Sequence, residues 1–235
     1  MRKFLVAGLV AGIAALTLTA APSGATTASH TSGRTGQVTL VHGVPGKGGF
    51  PVDISLYRLF RGSQEFKGVT FGTVAGPLDL PVGIYRVGIR PAGAPRHSKP
   101  VLSRWILVTP RSNQSIVAHL SESGAPRLSV FRNDVSATGA GQARVTVRHL
   151  AQAPAVDVIA NGSVELVSGL RNPREAAATV PAGTYDVRVT DAATNTVTAF
   201  QGPVALAPRT NTIVYAVGSL AGGSFTPLVQ VLPAT

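Results

Sequence analysis

Residues Val180-Pro-Ala-Gly-Thr-Tyr-Asp-Val-Arg-Val189 and Leu80-Pro-Val-Gly-Ile-Tyr-Arg-Val-Gly-Ile89 are two versions of one segment, set one domain length apart. In each, Pro holds φ near about −65° and a Gly two residues later accepts conformations closed to other residues, so together they shape a tight turn. An alternating strand follows at once, and Tyr85 and Tyr185 stand at matching places just past the turn. A chain that carries this unit twice is bound to build much the same structure twice. Other pairs keep the same order: His42 with His149, Val52-Asp53 with Val156-Asp157, and Pro110-Arg111-Ser112-Asn113 with Pro208-Arg209-Thr210-Asn211. Their offsets shrink from 107 to 98, which places the longer loops in the first copy.

Both copies consist of short β-type runs. In the first these are 38–42, 52–56, 84–90, 101–108, 116–120 and 128–131. Gly/Pro/Ser/Asn clusters separate them at roughly the 8–12-residue spacing of a sandwich or barrel. No segment sustains a helical stripe. The best helical candidate, Arg174-Glu-Ala-Ala-Ala178, is short and follows Pro173, and its counterpart, Ala75-Gly-Pro-Leu-Asp-Leu80, contains both helix breakers. The expected fold class is all-β: two tandem antiparallel β-sandwich domains, 38–134 and 143–235, joined by a linker at 135–142. Asn133 to Gln142 is small and polar, with no face to bury. There is no cysteine, so neither disulfides nor thiolate metal sites are available and stability must come from the cores. Domains of roughly 95 residues can supply this.

At the start, Arg2 and Lys3 precede an uncharged run from Phe4 to Ala21, followed by Pro22 and the small residues Ser23, Gly24 and Ala25. This is the pattern of a cleavable export signal, 1–25, with cleavage after Ala25. The alternative, a retained membrane anchor, lacks a basic stop-transfer cluster. Thr26 to Gln37 reads as a disordered leader. The expected location is therefore secreted or extracellular, in association with the cell wall, with no transmembrane segment after cleavage.

The segments from Val147 (Val-Arg-His-Leu-Ala-Gln-Ala-Pro-Ala-Val-Asp-Val), from Val180 (Val-Pro-Ala-Gly-Thr-Tyr-Asp-Val) and ending at Gly218 (Thr-Asn-Thr-Ile-Val-Tyr-Ala-Val-Gly) resemble three signature segments of the bacterial exported family known as domain of unknown function 4397. The resemblance spans nearly all of residues 142 to 233. It is weaker in the first copy, where Gly43 to Phe50 is lengthened and Gly-rich. It implies a tandem pair of extracytoplasmic sandwiches, immunoglobulin-like or transthyretin-like, and brings neither an activity nor catalytic residues.

Charge is unevenly shared. Residues 38–134 carry twelve Lys/Arg against five Asp/Glu, a net of +7, whereas residues 142–235 carry six against five, a net of +1. Only the first copy is equipped to attract an anionic partner. Its basic and aromatic residues cluster at Tyr57, Arg58, Phe60, Arg61, Phe66 and Lys67 and in the loop from Pro91 to Pro100, which holds Arg96, His97 and Lys99. Arg58, Arg61, Arg96 and Lys99 are the candidate ligand-binding residues, for an anionic cell-wall polymer or a surface protein. The competing reading is that charge on a solvated edge strand only prevents aggregation. Trp105, in the apolar run to Val108, is expected in the core.

The recurring pairs His42/Asp53 and His149/Asp157 could orient a general base, in which case the protein would be an envelope-polymer hydrolase. Their presence in both copies favours structure instead, with each pair pinning a loop over the end of its sandwich. No nucleophile elbow, Ser-x-x-Lys, His-Glu-x-x-His or phosphate-cradling loop is present. The sequence therefore nominates no catalytic residue, metal ligand or cofactor, and no specific nucleic acid as partner. The reading is an exported, non-catalytic binding or structural module, with a passive domain of a larger surface assembly as the remaining alternative.

Overall fold

The computed structural model describes residues 34–46 and 50–235. The expected export signal, 1–25, and most of the expected leader lie outside the described residues. The first copy forms β1 (Thr35–His42), β2 (Val52–Arg58), β3 (Gly62–Val69), β4 (Val74–Pro81), β5 (Gly83–Pro91), β6 (Leu102–Val108), β7 (Asn113–Leu120) and β8 (Pro126–Arg132). The second repeats the series as β9 (Gln142–His149), β10 (Val156–Ala160), β11 (Val164–Leu170), β12 (Arg174–Pro181), β13 (Gly183–Asp191), β14 (Val197–Leu206), β15 (Thr210–Val217) and β16 (Thr226–Pro233). The first strand starts at Thr35, so the last three residues of the expected leader belong to it. Among the described residues no helix is long and apolar enough to cross a membrane.

Each copy is a two-sheet sandwich. Sheet β4-β1-β7-β8 covers β3-β2-β5-β6, and β12-β9-β15-β16 covers β11-β10-β13-β14. Neighbours are antiparallel except β1 with β7 and β9 with β15, which run parallel. Eight strands in this order depart from the seven-strand immunoglobulin arrangement and give the transthyretin-like form. The best helical candidate is strand β12. Its residues Ala176, Ala178 and Val180 alternate inward onto the second core while Arg174, Glu175, Ala177 and Thr179 face out.

The duplicated segment does not make a hairpin. It turns the corner between sheets, from β4 to β5 and from β12 to β13. Tyr85 donates its hydroxyl to the Pro81 carbonyl at 2.7 Å, and Tyr185 donates to Pro181 at 2.6 Å. That bond explains why the Tyr sits four residues after the Pro in both copies. In the first, Arg58 Nη2 also donates to the Val82 carbonyl at 2.6 Å. A Cβ on Gly83 would come within 2.9 Å of Arg58 Nε, so a larger residue there would displace that side chain.

The sheets containing β1 and β9 pack against each other, so the two sandwiches stack face to face. Val41, Val117 and Phe131 of the first copy form one cluster with Leu150, Ile213, Tyr215, Val217, Leu228 and Leu232 of the second. A buried polar network crosses the same interface. Arg148, 1 % exposed, lies 4.7 Å over the Phe131 ring, donates from Nη1 to Tyr215 Oη at 3.1 Å and pairs through Nε with Glu175 at 2.8 Å. Tyr215 Oη lies 2.7 Å from Ser115 Oγ, and Gln230 Nε2 donates to Thr39 Oγ1 at 2.8 Å. The connecting segment is tied down as well: Asn211 donates to the Asp134 carbonyl at 2.9 Å, and Arg144 pairs with Asp134 at 3.3 Å. The described residues accordingly form a single compact unit.

Candidate functional site

The outer sheet of the first sandwich, β3-β2-β5-β6, carries its solvent-facing residues in rows set by the register. Tyr57 on β2 pairs with Arg86 on β5, and Arg86 with Trp105 on β6. Adjacent strands lie about 4.8 Å apart, so the row places two aromatic side chains roughly 10 Å from each other with a guanidinium between them. Trp105 is 54 % exposed and Tyr57 41 %, with Leu107 and Ile84 exposed on the same face. Trp105 is thus a surface residue and not part of the core. Both faces of β6 are apolar, and it is Ile106 and Val108 that point inward.

The next row is Ser55, Gly88 and Ser103. A Cβ at Gly88 would meet Ser55 Oγ at 2.9 Å and Pro100 at 3.2 Å. Its absence leaves a hollow beside the aromatic row, a cleft of about 400 Å³ lined by Tyr57, Ser63, Glu65, Arg86, Arg90, Arg96 and His97, among others. A second cleft of about 450 Å³ adjoins it and shares Ser55, Glu65, Arg90 and Arg96, with Asp53, Lys67 and Gly93 beyond.

Two of the arginines are held in place. Arg90 donates from Nε to the Ser98 carbonyl at 2.8 Å and from Nη1 to Ser55 Oγ at 3.1 Å, fixing the 91–101 loop against the sheet. Arg96 reaches back from that loop to Glu65 at 2.8 Å and to Ser63 Oγ at 2.8 Å. Arg86 has only a 3.5 Å contact with Ser103 Oγ, leaving most of its donors directed at solvent.

The structure separates the four candidate residues. Arg96 lines both clefts. Arg58 is committed to the Val82 carbonyl, Arg61 lies in the exposed β2–β3 turn, and Lys99 is exposed but lines neither cleft. Arg86, Arg90 and Trp105 belong to the site and were not among the candidates. The alternation that turns Tyr85 and Val87 inward is the signal that would have placed Arg86 outside.

In each His/Asp pair the two side chains bind different partners. His42 Nε2 lies 3.4 Å from the Phe50 carbonyl and His149 Nε2 2.7 Å from that of Pro154. Asp53 accepts from the Gly68 and Gly93 amides at 2.9 and 3.1 Å, and Asp157 from Gly169 at 2.7 Å. Burial lowers the pKa of both imidazoles despite these carbonyl contacts, so they are neutral with the proton on Nε2. Their Nδ1 atoms are buried without a partner. Among the described residues no group of three or more His, Cys, Asp or Glu is placed to hold a metal ion.

The sequence model of the family described as domain of unknown function DUF4397 matches residues 36–159, just over half of the chain. The chain belongs to that family. The match spans the first sandwich from Gly36 and runs on through β9 to end within β10, so it includes the segment from Val147 to Val158 and stops short of the segments at Val180 and Gly218. No curated protein matches. Among solved structures, the Bacillus anthracis TIE protein is similar over 79 % of this chain and 33 % of its own, at 12 % identity and a TM-score of 0.24. The chain spans about a third of the length of that protein, and a likeness at this level informs neither fold nor function.

Proposed function

We propose that the protein is an exported, non-catalytic binding module of the bacterial cell envelope, presenting the outer sheet of its first sandwich to an anionic polymer. The observation that carries this is the exposed Tyr57–Arg86–Trp105 row beside a cleft that also holds Arg90 and Arg96. Flat aromatic faces stack on sugar rings, while forked guanidinium groups donate in pairs to phosphate or carboxylate. The net charge of +7 on residues 38–134 draws such a polymer in over a distance. The second sandwich repeats the strand order of the first, which supports reading it as a second DUF4397 domain.

The test is sedimentation of the purified chain with isolated cell walls. Between about 0.1 M and 1 M salt the screening length shrinks from about 10 Å to about 3 Å, so bound protein should be released. An Arg86→Ala/Trp105→Ala variant should bind at least about tenfold more weakly at low salt, whereas Lys99→Ala should bind nearly as the parent does. Binding indifferent to salt, or retained in the double variant, would sink the proposal.

A further inference from the structure

The second sandwich is open where the first is closed. In the first, Leu40, Ile54, Ile89, Ile106 and Ile116 fill the space between the sheets. Arg104 Nη1 then donates across the edge to the Leu128 carbonyl at 3.3 Å, and Gln114 Nε2 to the Leu107 carbonyl at 3.2 Å. Strand register puts Val147, Val158, Val189, Val204 and Val214 at the five corresponding core positions, each one methylene smaller. The two donors that bridge the edge become Gly202 and Thr212, and Leu128 becomes Pro227.

The consequence is a cavity of about 320 Å³ between the free edges of β14 and β16. At its mouth Val229 and Val231 are 54 % and 56 % exposed. Among the described residues the lining contains no charged side chain, and its polar side chains are His149 and Thr212. Thr212 Oγ1 and His149 Nδ1 are both buried without a hydrogen-bond partner. His42 Nδ1 is unpaired in the same way behind the filled core of the first copy, so Thr212 is the mark peculiar to the groove.

These features select the occupant. A peptide strand lying between the sheets, away from the free edges of β14 and β16, would bury amides and carbonyls for which the lining side chains of the described residues offer two partners, at a cost too high to sustain. A charged group would be desolvated with nothing to pair it. Sheets packed about 10 Å apart leave room for one layer of atoms. At about 30 Å³ for a water-sized group, the cavity holds about ten such groups. From Thr212 to the row of His149 and Ala216 is four residues, or about 13 Å along the strands.

We propose that the groove binds one neutral, single-chain amphiphile, an unbranched alkyl chain of about ten carbons whose hydroxyl end meets the Thr212 hydroxyl. Titration calorimetry of the full chain with 1-hexanol, 1-octanol and 1-decanol tests this. One molecule should bind per chain, with affinity rising about fourfold per added methylene. Decanoate at neutral pH should bind more weakly than 1-decanol. Thr212→Val should weaken decanol binding severalfold. A Val158→Ile/Val189→Ile/Val204→Ile variant, which restores the side chains of the first sandwich, should lose at least tenfold in affinity while melting no lower than the parent. No binding of decanol, equal binding by the filled variant, or tighter binding of decanoate than decanol would overturn the proposal.

Discussion

The two sandwiches share a strand order but differ in what they leave accessible. The first closes its core with Ile and Leu, bridges its edge through Arg104, and turns arginines and aromatics outward from its outer sheet. The second has Val at the matching positions, lacks the bridge, and holds an apolar groove under a nearly neutral surface. Their inner faces diverge too, for Arg148 and Tyr215 occupy the positions of Val41 and Val117. Copies that were still alike would meet Val on Val. The difference lets one copy place an arginine and a tyrosine against the Phe131 and Ser115 of the other, which makes the interface specific.

Exchanging residues between the copies tests how far this divergence matters. Arg148→Val, which installs the first copy's residue, should have the largest effect. It leaves Tyr215 and Glu175 without their donor and removes packing from Phe131, at a cost on the order of 3 kcal/mol in denaturant unfolding. A loss below about 1 kcal/mol would mean that the interface does not depend on it.

Acidification should affect both copies, the first through two histidines and the second through one, and rank next. Burial lowers the pKa of His42, His119 and His149 in the folded state. As pH falls below about 6.5 the unfolded chain takes up protons first, so stability present above that pH is lost down to the folded-state values. Each histidine contributes a slope of up to about 1.4 kcal/mol per pH unit, and calorimetry should show the melting temperature dropping between pH 7.5 and 5.5. A melting temperature that holds steady or rises would contradict neutral, buried imidazoles.

One methylene should have opposite signs in the two cores. Ile106→Val in the closed sandwich should destabilise by about 1 kcal/mol. Val204→Ile, at the matching position, should stabilise by up to about 0.8 kcal/mol, because it fills the groove without displacing packed atoms. If both substitutions destabilise, the second sandwich is packed as tightly as the first. The smallest effect should come from Arg104→Ala, about 0.5 kcal/mol, since the lost bond lies at a solvated edge.

Much of the fold could be read from the residues. Proline and glycine punctuation, period-two alternation and the repeated Pro-x-Gly-x-Tyr unit led to two all-β copies, and the Tyr85 and Tyr185 hydroxyl bonds show what the repeat secures. Trp105 was misplaced because β6 is apolar on both faces, so alternation could not choose between them. The junction between the copies had a signal that composition hid. Every residue of β7, Asn113–Leu120, is buried, as in a strand covered on both faces, and Ile116 and Val117 in succession already pointed to a second covering layer. The polar segment from Asn133 read as a linker because composition does not show its long-range ties, from Asn133 to Asn113 and from Asn211 to the Asp134 carbonyl. The groove was beyond reach. It arises from five single-methylene differences and a glycine, none of which changes the hydrophobic pattern.

The measurement that tests the division between the copies most directly is a two-ligand amide and methyl NMR titration of the full chain, with soluble polyanionic wall polymer and with 1-decanol. The polymer should shift resonances around Tyr57, Arg86, Arg96 and Trp105, and decanol those of Val158, Val204 and Val229, with neither ligand displacing the other. Shifts from both ligands in one sandwich, or mutual displacement, would contradict separate sites on diverged copies.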